Sequence, residues 1–181
     1  MKTFNFRILR ALGVWGLLAI AGALAFQMFG DSTAFTSAVA NIATRNNFNV
    51  VAPGRFYRAA QMKAHDLDQA IKQNKIRTVI DLRLDPNEKD DGSVTEKWTA
   101  QVNGESYYQV RLSCSKSPSP DRVTELLDIY DHAELPILAH CSSGTHRTGF
   151  ASFLWLVDKE HAPVEDAVEQ LSLKYGFVML E

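Results

Sequence analysis

Hydrophobic positions along residues 48–178 follow two different repeats, and each repeat predicts a different kind of element. Short apolar or β-branched runs, typical of buried strands, occur at residues 48–51, 56–60, 76–82, 106–112 and 136–140. Apolar residues three or four positions apart, the spacing of one helix face, predict helices that start near Lys63, Ser93, Pro120, Arg147 and Pro163. Strands that alternate with helices favour a single α/β domain, with a central, mostly parallel sheet flanked by helices.

The beginning of the chain breaks this alternation. Residues 8–29 are almost wholly apolar, and no charged residue occurs between Arg10 and Asp31. At about 1.5 Å per residue, a helix of about 20 residues spans the hydrocarbon core of a bilayer. The pattern therefore predicts an N-terminal transmembrane helix, and residues 8–29 are expected to contact the membrane.

A cleaved signal peptide is the alternative for residues 1–29. The segment has a basic start and an apolar stretch, and its Ala23-Leu24-Ala25 triplet matches a cleavage pattern. In either case the basic residues Lys2, Arg7 and Arg10 indicate a cytoplasmic amino terminus. We expect residues 30–47 to be a linker and residues 48–181 to form a domain outside the cytoplasm, in the periplasm if the source is bacterial, anchored or released.

Composition limits the function classes. The chain has 181 residues, of which 46% are hydrophobic, a length suited to one domain with a real core. Residues 1–29 hold three basic and no acidic residues, so the rest carries 16 basic against 21 acidic residues, a formal charge of −5. This balance argues against a nucleic-acid-binding surface. Two cysteines are too few for a disulfide-rich scaffold.

The chemically distinctive residues follow the strand at 136–140. They are His140, Cys141, Ser142, Ser143, Gly144, Thr145, His146, Arg147 and Thr148. A loop that enters a helix presents backbone N–H groups and the positive end of the helix dipole, so it predicts a site for a tetrahedral oxyanion. Small residues at 142–144 let the backbone curl around the anion. Arg147 can clamp two of its oxygens.

Cys141 would lie in the positive potential of this loop, which favours the nucleophilic thiolate. The Thr148 hydroxyl could donate a hydrogen bond to the sulfur when it leaves. We interpret His140 as orienting the loop rather than as a base. Because His140, Cys141 and His146 have no second ligand cluster with zinc spacing, we predict neither a metal nor a cofactor.

Cys141–Arg147 matches the C-x5-R signature, and residues 48–178 resemble the cysteine-based protein tyrosine and dual-specificity phosphatases. The string HCSSGTHRTG, with PGRFYRAAQ at 53–61 and IDLR at 80–83, is similar to the atypical dual-specificity group of bacteria, plants and fungi. The resemblance implies a protein tyrosine phosphatase-like fold and a phosphorylated protein or small molecule as substrate. It also implies a phosphocysteine on Cys141, which water hydrolyses while Arg147 and the loop amides hold the phosphate.

The general acid of this family has no clear counterpart here. Members usually carry an Asp on a loop that corresponds to residues 108–116, which contain no acidic residue. Asp121 is the nearest candidate, although an Asp in the first turn of a helix also stabilises the helix dipole. Asp85, Asp90 and Asp91 on another loop are further candidates. Without an acid, aryl phosphates or phosphoanhydrides are favoured over alkyl phosphates.

Four other residues carry open interpretations. Arg83 either reaches the phosphate site or forms a structural ion pair, and we interpret Arg58 as structural. His146 either shapes substrate entry or faces solvent. Cys114, in the loop that lies over the site in relatives, either pairs with Cys141 under oxidation or stays a free thiol.

Two alternative functions remain open. One is a catalytically weak module that binds phosphorylated ligands. The other is a rhodanese-like sulfurtransferase, whose cysteine loop is usually shorter than the one in this chain.

Overall fold

The structure is a computed structural model that describes residues 46–83 and 93–177. These residues belong to one unit of the chain, Ser37–Glu181. The predicted transmembrane helix or signal peptide, most of the predicted linker, and the candidates Asp85, Asp90 and Asp91 lie outside the described residues. Within the described ranges, no helix has the length and apolarity needed to cross a membrane.

Strands and helices alternate as the hydrophobic pattern predicts. The strands are β1 (Asn49–Ala52), β2 (Phe56–Ala60), β3 (Thr78–Asp81), β4 (Ser106–Gln109) and β5 (Ile137–Cys141). The helices are α1 (Ala64–Asn74), α2 (Ser93–Val102), α3 (Pro120–His132), α4 (His146–Lys159) and α5 (Val164–Ala167), followed by 3-10 helices at Val168–Leu171 and Leu173–Tyr175.

The five strands form one sheet in the order β1-β2-β5-β3-β4. Strands β2, β5, β3 and β4 are parallel to one another, and β1 runs antiparallel to β2. The predicted α/β domain with a mostly parallel sheet is therefore confirmed.

The two faces of the sheet carry separate cores, which explains why the strands read as continuous apolar runs. Phe56 and Ile137 belong to the core beneath α3 and α4, whereas their sequence neighbours Tyr57 and Leu138 belong to the core beneath α1 and α2. The Phe56 ring stacks on Trp155 at 4.8 Å between centroids. This contact fixes α4, the helix that follows Cys141, against the sheet.

The last predicted helix differs from expectation. An apolar stripe from Val164 to Leu171 predicts a continuous helix, but the α-helical turn ends at Ala167 and gives way to 3-10 structure. One physical reason is visible at Gln170, whose carbonyl oxygen accepts a hydrogen bond from Arg58 Nη1 at 2.8 Å. An α-helix would instead use that carbonyl for an N–H group four residues later.

Strand β5 occupies the middle of the sheet and delivers Cys141 to its carboxyl edge. Cys141 pairs with Ala60 at the end of β2, and His140 pairs with Asp81 at the end of β3. Ligands of open α/β sheets bind at this edge. The sheet therefore brings three chain segments together around the cysteine.

Candidate active site

The loop between β5 and α4 contains the residues that the sequence singles out. Cys141 ends β5, residues 142–145 form the turn, and α4 starts at His146. Cys141 is 1% exposed and Arg147 is 7% exposed, so both side chains are largely enclosed by protein.

Four successive carbonyl groups of this loop are bound by donors outside it. Gln61 N donates to Ser142 O at 3.2 Å, and Asn47 Nδ2 donates to Ser143 O at 3.2 Å and to Gly144 O at 3.1 Å. Arg58 Nη2 donates to Gly144 O at 2.8 Å and to Thr145 O at 3.4 Å. Gly149 N donates to Thr145 O at 2.8 Å. In a planar trans peptide the N–H points opposite to the C=O. The N–H groups of residues 143–146 therefore point away from these donors, and we expect them to form a concave cradle for an anion.

Gly144 is required by the way the loop packs. Its φ is +70°, a left-handed conformation that side chains rarely adopt, and a Cβ there would lie 2.6 Å from Ala60 N. Because that neighbour is backbone in a paired strand, it cannot move aside. Only glycine lets the loop rest directly on the end of β2.

Arg147 and Thr148 occupy the first turn of α4. Arg147 Nη2 donates to Ser142 Oγ at 3.0 Å, which holds the guanidinium across the loop. The buried Thr148 hydroxyl donates to Ala59 O at 3.4 Å. A hydrogen bond from Thr148 to the Cys141 sulfur stays a prediction.

A cavity of about 630 Å³ opens beside Arg147. On one side it is lined by His146, Arg147, Phe150, Leu171 and Phe177, and on the other by the segment 112–118. His146 is half-buried, with Nδ1 2.9 Å from Thr145 Oγ1 and its ring 4.8 Å from that of Phe177. These contacts show that His146 does not simply face solvent, and its role in substrate entry stays a prediction.

Of the two cysteines, only Cys114 lines this cavity. Both are free thiols: Cys114 is exposed in the cavity-lining segment 112–118, and Cys141 is buried. The structure therefore holds no disulfide between them, and pairing under oxidation stays a prediction.

Arg83 forms a buried ion pair with Asp81. Its Nε and Nη2 atoms donate to the two carboxylate oxygens of Asp81, each at 2.8 Å, and Tyr107 donates to the same carboxylate at 2.9 Å. Burial raises the pKa of Asp81, but the hydrogen bonds from Arg83 and the charge of neighbouring His140 outweigh it, so the pKa lies below 3.8. Of the two interpretations, the structure favours the ion pair.

The structure does not bring Asp121 to the loop. Asp121 lines a different cavity, of about 530 Å³, together with Tyr108, Glu125, Asp128 and His132. Among the described residues, no carboxylate lines the cavity beside Arg147. Nor is any cluster of three or more His, Cys, Asp or Glu side chains in those ranges arranged to hold a metal ion.

Asn47, Arg58 and Gln170 contribute to the site in ways that the sequence analysis missed. Asn47 was assigned to the linker, although it is fully buried and binds two loop carbonyls. Arg58 carried a usable signal, because a charged residue inside an apolar strand is seldom buried without a specific role. Gln170 gave no signal beyond its place within the predicted last helix.

Comparison with known proteins matches this chain to one protein family. The family model described as "Beta-lactamase hydrolase-like protein, phosphatase-like domain" matches residues 47–162.

Solved structures show the same fold. The core catalytic domain of the PP-IP phosphatase Siw14 from S. cerevisiae, in complex with citrate, is 24% identical with a TM-score of 0.57, over 72% of this chain and 76% of that chain. TpbA of P. aeruginosa in complex with pTyr is 17% identical with a TM-score of 0.55, over 73% and 76% of the two chains. Tk-PTP in its active form is 17% identical with a TM-score of 0.58, over 74% and 87%.

Gly144→Ala tests the packing of the loop. We expect phosphate binding at the cradle to weaken about 100-fold, since the clash with Ala60 displaces amide donors from the anion. Titration of the full chain with tungstate, a phosphate mimic, measures the affinity. Gly54→Ala is the matched control, because Gly54 has a φ of +69° and no atom within 4 Å of the added Cβ. Equal affinity in the Gly144→Ala and Gly54→Ala variants would contradict this account.

Asp81→Asn tests the buried ion pair. We expect the free energy of unfolding at neutral pH to fall by about 3 kcal/mol, because the change removes the carboxylate bound to a buried guanidinium. The stabilisation by Asp81 is fully present above pH 3.8 and is lost as the pH falls through its lower folded-state pKa. Urea denaturation at several pH values should therefore show the two proteins converging in acid. A constant difference down to pH 2 would argue against this assignment.

Proposed function

The chain belongs to the phosphatase-like domain family of beta-lactamase hydrolase-like proteins, and we propose that it hydrolyses phosphomonoesters through a phosphocysteine on Cys141. The observation that carries the proposal is the position of Cys141: a buried thiol at the start of a loop whose four carbonyls are bound from outside. A phosphate placed there would meet the sulfur, the inward amides and Arg147 together.

The first step transfers the phosphoryl group to sulfur. The Cys141 thiolate attacks phosphorus, the S–P bond forms, and the bond between phosphorus and the leaving-group oxygen breaks. The leaving group departs with the bonding electrons and takes a proton from water or from an acid. In the transition state the cradle amides and Arg147 hold the three equatorial oxygens, which flatten into a plane around phosphorus as they invert.

The second step releases phosphate. A water molecule attacks phosphorus on the side that the leaving group has vacated, and its protons pass to solvent or to the phosphate product. The S–P bond breaks, which regenerates the thiolate. The same amides and Arg147 bind the phosphoryl oxygens in this step, so one preorganised site serves both halves of the reaction.

The cavity beside Arg147 supports a preference among leaving groups. Lys116, His146 and Arg147 line it with Phe150 and Phe177, and no carboxylate among the described residues does. A leaving group that departs without strong protonation, such as an aryl oxide or a phosphate, suits this environment. The solved relatives illustrate both classes, with pTyr bound to TpbA and Siw14 named as a PP-IP phosphatase.

Location is a further part of the proposal, and it rests on the sequence. The apolar run at residues 8–29 and the basic residues before it support export of the domain, anchored or released. The phosphatase and its substrate would then meet outside the cytoplasm.

The missing carboxylate in the described cavity wall also supports a second candidate, a module that binds phosphorylated ligands with little turnover. The family match favours a phosphatase over a sulfurtransferase.

Phosphate release from para-nitrophenyl phosphate by the full chain, under reducing conditions at acidic and neutral pH, tests the proposal. We expect Cys141→Ser to abolish turnover, because it removes the nucleophile, and Arg147→Lys to lower kcat about 100-fold through loss of the bidentate clamp. Lys72→Met, which breaks an exposed ion pair on α1, is the control with wild-type turnover.

Absence of turnover in the wild type would overturn the phosphatase proposal. If the wild type still bound phosphate, the binding-module candidate would replace it. Among active substrates, aryl phosphates and phosphoanhydrides should react faster than alkyl phosphates.

A further inference from the structure

Arg58 is a buried cation with an unusual set of partners. It is 0% exposed, and among the described residues its two terminal nitrogens bind oxygen atoms of neutral groups only. Nη1 donates to Gln170 O and Gln170 Oε1, both at 2.8 Å, and Nη2 donates to Gly144 O at 2.8 Å and Thr145 O at 3.4 Å. Within the described ranges no carboxylate contacts it. Burying such a charge is unfavourable, which argues for a role beyond packing.

We propose that Arg58 is the positioning residue of the anion cradle, holding the Gly144 and Thr145 carbonyls outward while Gln170 fixes its own orientation. This inference rests on the proposed phosphatase function and extends it to a residue outside the C-x5-R loop.

The positioning role follows first from the geometry of two consecutive peptide units. Because N–H and C=O point in opposite directions in each unit, fixing Gly144 O and Thr145 O also fixes the N–H groups of Thr145 and His146. Arg58 supplies the shortest bond to Gly144 O, at 2.8 Å against 3.1 Å for that from Asn47. Without the guanidinium, this peptide loses its principal restraint against rotation.

Gln170 and Tyr175, late in the described chain, hold Arg58 in place. The guanidinium carbon lies 4.0 Å from the ring centroid of Tyr175, and Gln170 accepts two of its hydrogen bonds. A Cβ on Gly149 of α4 would lie 2.8 Å from Gln170 O, so the 3-10 segment approaches the helix as closely as a glycine permits. The 3-10 segment at Val168–Leu171 therefore forms a wall behind the loop.

The positive charge of Arg58 is a separate contribution to the proposed site. Burial lowers the pKa of Arg58 from 12.5 to about 10, while interactions with Tyr175 and Cys141 act to raise it. At neutral pH the group stays protonated. With no carboxylate neutralising it in the described part of the chain, its charge is available to interact with Cys141 and with a bound phosphate.

The test uses variants of the full chain. Arg58→Met removes the charge and all four hydrogen bonds. Arg58→Lys keeps the charge but loses the two-nitrogen geometry of the guanidinium. Gln170→Met removes one acceptor near the guanidinium. Leu67→Ala, in the core beneath α1, is the control for lost stability alone. The readouts are kcat and KM for para-nitrophenyl phosphate, the inhibition constant of tungstate, and the alkylation rate of Cys141 by iodoacetamide.

For Arg58→Met we expect kcat/KM to fall and the tungstate inhibition constant to rise by about 10- to 100-fold, the usual effect of losing a residue that orients a site. Cys141 alkylation should slow. Arg58→Lys should recover the alkylation rate but not kcat/KM, since charge and positioning separate in that variant. Leu67→Ala should keep the kcat/KM of its folded fraction.

Wild-type kcat/KM and tungstate inhibition in a folded Arg58→Met variant would overturn the proposal. If that variant does not fold, Gln170→Met decides: weaker tungstate inhibition supports the positioning role, and unchanged inhibition refutes it. A wild-type chain without turnover would refute the phosphatase function, and direct tungstate binding to the same variants would then decide the role of Arg58 separately.

Discussion

The outward orientation of the carbonyl groups of residues 142–145 is the constraint on which the site depends. Each of these groups accepts a hydrogen bond from a donor outside the loop, so the directions of the amides that follow them are fixed before any ligand arrives. In the proposed reaction such a cradle would not reorganise, which is the condition under which backbone dipoles stabilise developing charge most strongly.

The rest of the fold supplies those donors. The parallel pairing of β2 with β5 places Arg58 and Ala60 beside the loop, and Gly144 allows the loop to rest on the end of β2. The stacking of Phe56 on Trp155 holds α4 against the same sheet, so the helix that carries Arg147 has a fixed start. The 3-10 segment at Val168–Leu171 closes the structure behind the loop through Gln170.

The parts of the site that could be predicted from the sequence are those that are local in the chain. The residues from Cys141 to Arg147 form one continuous strand–turn–helix, so their spacing indicates the oxyanion loop directly. Arg83 and its partner Asp81 are two residues apart, and an ion pair was one of the two interpretations. The strand order was less accessible, but alternating hydrophobic repeats were enough to predict a mostly parallel sheet.

The parts that could not be predicted depend on long-range contacts. Asn47 binds a carbonyl 97 residues away and Arg58 binds one 112 residues away, so no local pattern marks either bond. The bond from Arg58 also engages the Gln170 carbonyl, which a continued α-helix would use, so the end of the last helix could not be predicted from its apolar stripe alone. Asp121 was the opposite case. It lies close in sequence to residues 108–116, where the family usually carries its general acid, yet the fold places it on another cavity.

Trapping the reaction intermediate is the sharpest test of the proposed phosphocysteine. The full chain would be mixed with a rapidly cleaved aryl phosphate, quenched in acid within the first turnover, and digested for mass spectrometry. We expect a peptide containing Cys141 that is heavier by one phosphoryl group, and its absence in Cys141→Ser. Turnover with no such adduct, or an adduct on another residue, would contradict that proposal.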